Sequence, residues 1–151
     1  MKYSFFEIEN FKGIEKIKID LEKSPKSNIY TLVGLNESGK TTVLEAINSF
    51  KYKTETLEAL ELPGYTIDDI HDLIPISKRD NFNQNIIITV ELVFEDNDEQ
   101  LLANFLRQNH KFKLSKKIEK FTISQKLIFK DSKYGRFNHE VQQGKLLQVV
   151  F

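Results

Sequence analysis

No cysteine occurs among the 151 residues, which excludes disulfides and thiolate-held metals and leaves an oxidising compartment without support. No apolar run approaches the roughly 20 residues that a membrane-crossing helix needs. Met1 and Lys2 lead into the mixed segment Tyr3 to Asn10, with neither an apolar signal core nor a small-residue cleavage site. There is no internal repeat and no low-complexity stretch. Nor is there a net charge, since 22 basic residues balance 22 acidic ones. His71, His110 and His139 lie far apart with no paired-histidine spacing, and no serine sits in a nucleophile motif. These absences point to a cytoplasmic protein with no membrane span and no histidine- or cysteine-based metal site.

What is present is an ordinary globular balance, 40% hydrophobic and 29% charged, at a length that suits one domain able to bury a core. The charges are unevenly placed. Six acidic residues and no basic one lie between Thr54 and Asp72, whereas nine Lys/Arg stand against Glu119 and Asp131 between Lys111 and Arg136. The basic block suits the solvated face of a strand pair, where lysine discourages edge pairing, better than it suits a surface for DNA.

Along the chain, Tyr3 to Glu9 reads as a strand and Phe11-Lys12-Gly13 as a turn. Ile17, Ile19 and Leu21 alternate with charged residues, so a second strand is expected to pair back on the first. Ile29 to Val33 is a short apolar run between turn residues, the pattern of a strand buried on both faces. A helix follows, with Val43, Leu44, Ala46, Ile47 and Phe50 on its packing face. Thr66 to Asp69 has the form of a capping box for a helix that stops at Pro75. Ile86 to Phe94 reads as a strand. Asn97 with Gln100 opens a helix whose apolar side is Leu101, Leu102, Phe105 and Leu106. Ile118 to Lys130 is again a strand, and Ser132 to Asn138 a turn into another. Leu146 to Phe151 is apolar with no polar tail, which reads as a cut inside a longer protein; a buried final strand is the alternative.

Between the Ile29–Val33 run and its helix stands Gly34-Leu35-Asn36-Glu37-Ser38-Gly39-Lys40-Thr41, a G-x-x-x-x-G-K-[ST] phosphate loop. Glycines let the backbone wrap so closely that successive N–H groups point at phosphate oxygens, and the helix N-terminus adds its positive end. Lys40 is placed for the β- and γ-phosphates, the Thr41 hydroxyl for magnesium, and Thr42 for the α-phosphate. Asn36, Glu37 and Ser38 complete the cradle. Four specified positions match by chance in a chain of this length with probability on the order of 0.005, before the flanking strand and helix are required. The loop predicts binding of a nucleoside triphosphate with Mg2+, and ATP is the best candidate.

Other motifs narrow the class. A GTPase needs D-x-x-G and N-K-x-D; Ser77-Lys78-Arg79-Asp80 lacks the Asn and no D-x-x-G exists. A small-molecule kinase wants a lid and phosphate-binding arginines, and Arg79, Arg107 and Arg136 are scattered. The one Walker B candidate is Leu92-Val93-Phe94-Glu95-Asp96. Glu91 in mid-strand argues that this is a half-exposed antiparallel strand, not the doubly buried one a Walker B carboxylate terminates. No catalytic residue is identifiable.

The opening Phe5 to Ile14, with its Asn10-Phe11-Lys12 turn, and the run Leu32 to Ile47 together resemble the start of the ABC-type ATPases of the SMC, RecF and OLD group. The resemblance implies an α/β P-loop fold of ABC-ATPase type, in which a mixed sheet with an antiparallel portion carries the P-loop helix. It implies that residues 1–151 form a single N-terminal lobe, with Walker B and signature motifs supplied by a C-terminal lobe or the remainder of the ATPase. Relatives clamp ATP between two copies, so a homodimer of the full-length protein is expected, as is action on DNA in repair or anti-phage defence. In relatives a basic residue at the Lys12 position contacts nucleotide; an exposed turn lysine is the plainer alternative. Glu37 departs from the group, many of whose members have Gly there. The group's Q-loop glutamine stays open among Gln125, Gln142 and Gln143. On this reading the isolated chain binds Mg-ATP and hydrolyses little; a nucleotide sensor without turnover, or a self-sufficient NTPase using Glu95 or Asp96, are the rivals.

Overall fold

The computed structural model describes residues 1–22, 29–36, 38–50, 67–110 and 117–142, with the side chains of 67–69, 96, 110 and 136–142 left aside. Five strands form one sheet in the order β2-β1-β3-β4-β5, every neighbouring pair antiparallel. They are β1 (Lys2–Phe11), β2 (Ile14–Asp20), β3 (Asn85–Val93), β4 (Lys120–Lys130) and β5 (Lys133–Gln142). The sequence periodicity becomes two distinct faces. Phe6, Ile8, Ile86, Ile88, Val90, Ile123, Leu127 and Phe129 are buried on one of them.

The opposite face carries charge in register. Glu9 pairs with Lys16 and Glu7 with Lys18 across β1 and β2, and Lys16 Nζ lies 2.9 Å from Glu7 and 2.7 Å from Glu9. Lys18 sits 3.8 Å above the Phe5 ring. Lys120 bridges Glu22 at 2.8 Å and Glu91 at 3.4 Å. These exposed pairs each contribute little stability, but they settle how part of the basic block is used: Lys120 belongs to a solvated lattice of both signs. The block's members at 111–116 lie outside the described residues.

One helix lies on the apolar face. Helix α1 (Lys40–Ser49) buries Val43 and Ala46 against Ile8 and Phe11, while Ile47 and Phe50 reach Phe6, Val90 and Ile123. Its chain direction is therefore opposite to β1, with its N-terminus at the β1–β2 hairpin end. Leu44, expected on this packing face, is 57% exposed; it points away from the only layer the described residues provide. Gln125, 1% exposed, donates from Nε2 to the Ser49 carbonyl at 3.0 Å and satisfies an acceptor at the helix C-terminus.

Two turns hold the hairpin end. Asn10 and Lys12 both adopt positive φ, at 55° and 51°. Asn10 tolerates this, and its side chain clips the turn by donating to Asn85 O (3.0 Å) and accepting from Lys78 Nζ (3.1 Å). Asp131 and Ser132 also have positive φ, joining β4 and β5 as a two-residue turn of the I′ kind. Phe82 N donates to Ser132 Oγ and Asp131 N to Asn83 Oδ1, so the loop before β3 holds that turn. Ile70, Leu73, Ile74 and Phe82 close the core here. The segment expected as an α-helix before Pro75 is a 3-10 helix, Ile67–Leu73; the Thr66 cap lies outside the described residues.

Helix α2 (Asp96–His110) begins earlier than the Asn97–Gln100 signal suggests. Glu95 N donates to Asp98 Oδ2 at 2.9 Å, half of a capping box one turn ahead of the apolar stripe. Leu101 and Phe105 on that stripe are 66% and 53% exposed.

The largest departure concerns residues 29–33. The doubly buried strand expected there is absent: residues 29–35 form no strand, and Ile29, Val33 and Leu35 are 81%, 90% and 86% exposed. A strand can be buried on both faces only between neighbours and under a second layer, and the five-stranded sheet offers it neither. The tail Leu146 to Phe151 lies outside the described residues, as does Glu37.

Candidate functional site

The phosphate loop stands at the hairpin end of the sheet, where α1 begins. Gly39 is its N-cap, with φ 81° and ψ 8°, a left-handed conformation that costs an L-residue energy and a glycine none. No side chain caps the helix there, and its first intrahelical bond runs from Val43 N to Gly39 O at 3.0 Å. The first-turn N–H groups of Lys40, Thr41 and Thr42 thus lack intrahelical acceptors and point beyond the helix end. The Lys40 ammonium folds back over the loop, donating to Gly34 O at 2.8 Å, Leu35 O at 2.5 Å and Ser38 Oγ at 3.2 Å. The loop is wound tightly enough that a Cβ on Gly34 would meet Ser38 Oγ at 2.7 Å. Helix-start N–H groups without intrahelical acceptors, a lysine held across the loop mouth and an exposed setting together make a site for an oxyanion.

A family profile described as AAA ATPase domain matches residues 1–147. The chain belongs to that family. Its fold is similar to that of a solved structure described as "Structural biochemistry of ATP-driven dimerization and DNA stimulated activation of SMC ATPases", at TM-score 0.52 and 16% identity. The similarity covers 93% of this chain and 69% of that one. At such identity the likeness speaks for fold alone, and with the family match it bears out the α/β P-loop ATPase architecture that the opening fifty residues suggest. No curated protein matches. Membership in an ATPase family implies nucleotide binding.

Within this AAA ATPase domain the structure sorts the remaining candidates. Asn36, Ser38, Thr41 and Thr42 belong to the loop or the first helical turn. Lys12 is brought to the same helix: its Nζ donates to Glu45 Oε2 at 2.7 Å, with the two side chains 20% and 28% exposed. Sequence reasoning did not single out Glu45; its spacing of four from Thr41, which puts both on one helical face, was the signal available.

Gln125 is removed from the Q-loop candidates, because its amide is buried at the C-terminal end of α1, away from the loop. Glu95 lies at the far end of the sheet, beyond Val93, which pairs with Lys2. It contacts Lys2 Nζ at 2.9 Å and the Met1 amino group at 3.3 Å, and these cations hold its carboxyl below the usual range. Its carboxylate is thus engaged by two cations at the start of the chain. β3 is antiparallel to both neighbours, as Glu91 in mid-strand indicates. Among the described residues no group of three His, Cys, Asp or Glu could hold a metal ion. Among them, too, no helix is long and apolar enough to cross a membrane.

Proposed function

We propose that this chain is the N-terminal lobe of a cytoplasmic ATPase of the SMC/RecF/OLD kind and binds Mg-ATP through Gly34 to Thr42. The observation that carries the reading is the loop geometry: glycine at positive φ, an uncapped helix start and Lys40 across the mouth. Thr41 supplies the hydroxyl suited to magnesium, Asn36, Glu37 and Ser38 line the loop, and Lys12 is the nearby second cation. The described residues do not complete a hydrolytic site: Glu95 is tied to Lys2 and the Met1 amino group, and the carboxylate that orients water or holds the metal shell is left to the rest of the ATPase.

A C-terminal lobe is proposed as the missing half. Supporting this, Ile29, Val33, Leu35 and Leu44 form apolar surface that a second layer of structure would cover. The resemblance of the first fifty residues further supports a homodimer of the full-length protein that acts on DNA in repair or phage defence. The test is calorimetric titration of Mg-ATP into the chain and into Lys40→Ala, with phosphate release followed in parallel. Binding that vanishes in the variant, with negligible release by either, is expected. Equal binding by Lys40→Ala would sink the reading, and rapid release by the wild-type chain would replace it with a self-sufficient enzyme.

A further inference from the structure

The Lys12–Glu45 pair ties the β1–β2 turn to helix α1, which also packs on β1 through Val43 and Ala46. Lys12 holds a left-handed backbone, φ 51°, although it carries a side chain, and it sits directly before a glycine that could have taken that conformation. Its N–H is fixed to Leu73 O at 2.7 Å, so the backbone aims the side chain at α1. Strain kept at a residue beside a candidate site is a pointer to a functional constraint. Glu45, which receives that ammonium, lies four residues beyond Thr41, about 6 Å along the helix. The lysine is therefore stationed roughly one helical turn behind the phosphate loop, on a four-carbon stem long enough to span that distance.

Resting on the nucleotide-binding reading above, we propose that Glu45 is a positioning residue for nucleotide affinity: it parks the Lys12 ammonium one turn behind the phosphate loop, and the polyphosphate of Mg-ATP competes with it for that charge. The half-buried setting makes the competition matter, because two partly desolvated charges at 2.7 Å interact more strongly than an exposed pair. Lys40 does not play this part, since its ammonium already lies across the loop itself.

The proposal predicts a specific dependence between two substitutions. Mg-ATP titration of the full chain should show Glu45→Gln binding roughly three- to tenfold tighter than wild type, since the Glu45 charge no longer competes with the polyphosphate for Lys12. Lys12→Gln should bind more weakly. The double variant should match Lys12→Gln, the Glu45 effect having disappeared with the lysine it acts through. Glu45→Asp, which keeps the charge but shortens its reach, should fall between wild type and Glu45→Gln, and it serves if the amide variant folds poorly. A gain of equal size in the Lys12→Gln background would overturn the proposal in favour of plain charge repulsion. Unchanged or weakened binding by a folded Glu45→Gln would overturn it in favour of a structural tie. Absence of binding by the wild-type chain, or binding that survives Lys40→Ala, would instead defeat the nucleotide reading and this inference with it.

Discussion

Three glycines, two in the phosphate loop and Gly13 in the β1–β2 turn, separate backbone strain from close contact within one set of substitutions. Gly39 has φ 81° with nothing within 4 Å of an added Cβ, Gly34 has no positive φ but a 2.7 Å contact to Ser38 Oγ, and Gly13 has neither. Alanine in the left-handed region costs about 1–2 kcal/mol. Alanine also removes freedom from the unfolded chain, stabilising by about 0.4–1 kcal/mol wherever the native conformation tolerates it. That second effect is common to Gly39→Ala and Gly13→Ala, so their difference isolates the strain: about 1–2 kcal/mol. It corresponds to a gap of about 2–8 °C in melting temperature for a chain this long. Urea titrations with unchanged slope would measure it directly. Gly34→Ala should behave differently, with little effect on stability because its loop is exposed. Its Cβ displaces Ser38 Oγ, a partner of Lys40, so the loss should appear as roughly tenfold weaker Mg-ATP binding. A Gly39→Ala protein as stable as Gly13→Ala would refute the conformation assigned to the helix start and the argument for uncapped N–H donors with it.

Two further predictions concern the scaffold. Gln125→Leu removes the buried donor to Ser49 O and should destabilise by about 1–3 kcal/mol in urea titrations, leaving Mg-ATP affinity unchanged because the lost bond is at the far end of α1; a large affinity loss at full stability would contradict that placement. The Asp98 carboxyl is held below its ordinary 3.8, first by the Met1 amino group and then by the Glu95 N–H. A depressed carboxyl contributes stability at pH values above 3.8 and loses it as pH falls through the lower folded value. The Met1 amino group is raised above its ordinary 8.0, chiefly by Asp98, so its contribution is complete below pH 8.0 and fades as pH rises through the higher folded value. Melting temperatures of wild type and Asp98→Asn should therefore differ most near neutrality and converge in strong acid; a constant difference across pH would refute the pairing.

Much of the site was legible because its signals are local. The spacing of Gly34, Gly39, Lys40 and Thr41 specifies the loop whatever surrounds it, and the structure gives a visible reason for the two glycines and for Lys40. The antiparallel nature of β3 was equally local, since Glu91 between Val90 and Leu92 breaks the symmetry that a doubly buried strand requires. Asn10-Phe11-Lys12 carried a resemblance without a mechanism, and the structure supplies one: left-handed backbone at Asn10 and Lys12, a fully buried Phe11 between them, and side chains clipped to β3 and α1. What escaped were features decided at a distance. The turn expected from Ser132 to Asn138 is only Asp131–Ser132, has none of the glycine usual for positive φ, and is held by Phe82 and Asn83, some fifty residues earlier.

Residues 29–33 and Leu44 fail together, and the manner of their failure is informative. Both were placed in a core by apolar pattern, and both are exposed where the five-stranded sheet ends its cover. Pattern records that a side chain is to be buried; it does not say by what. Val43 and Ala46 find the sheet, whereas Leu44, about 100° around the same helix, faces the opposite way. The exposed run leads into the phosphate loop at Gly34, so whatever covers Ile29 and Val33 also buttresses the entry to that loop. Among the described residues no second layer covers Leu44 or residues 29–33. On that argument the lobe proposed as missing would do more than bring catalytic groups: by pairing residues 29–33 it would fix the approach to Gly34 and hence the shape of the cradle.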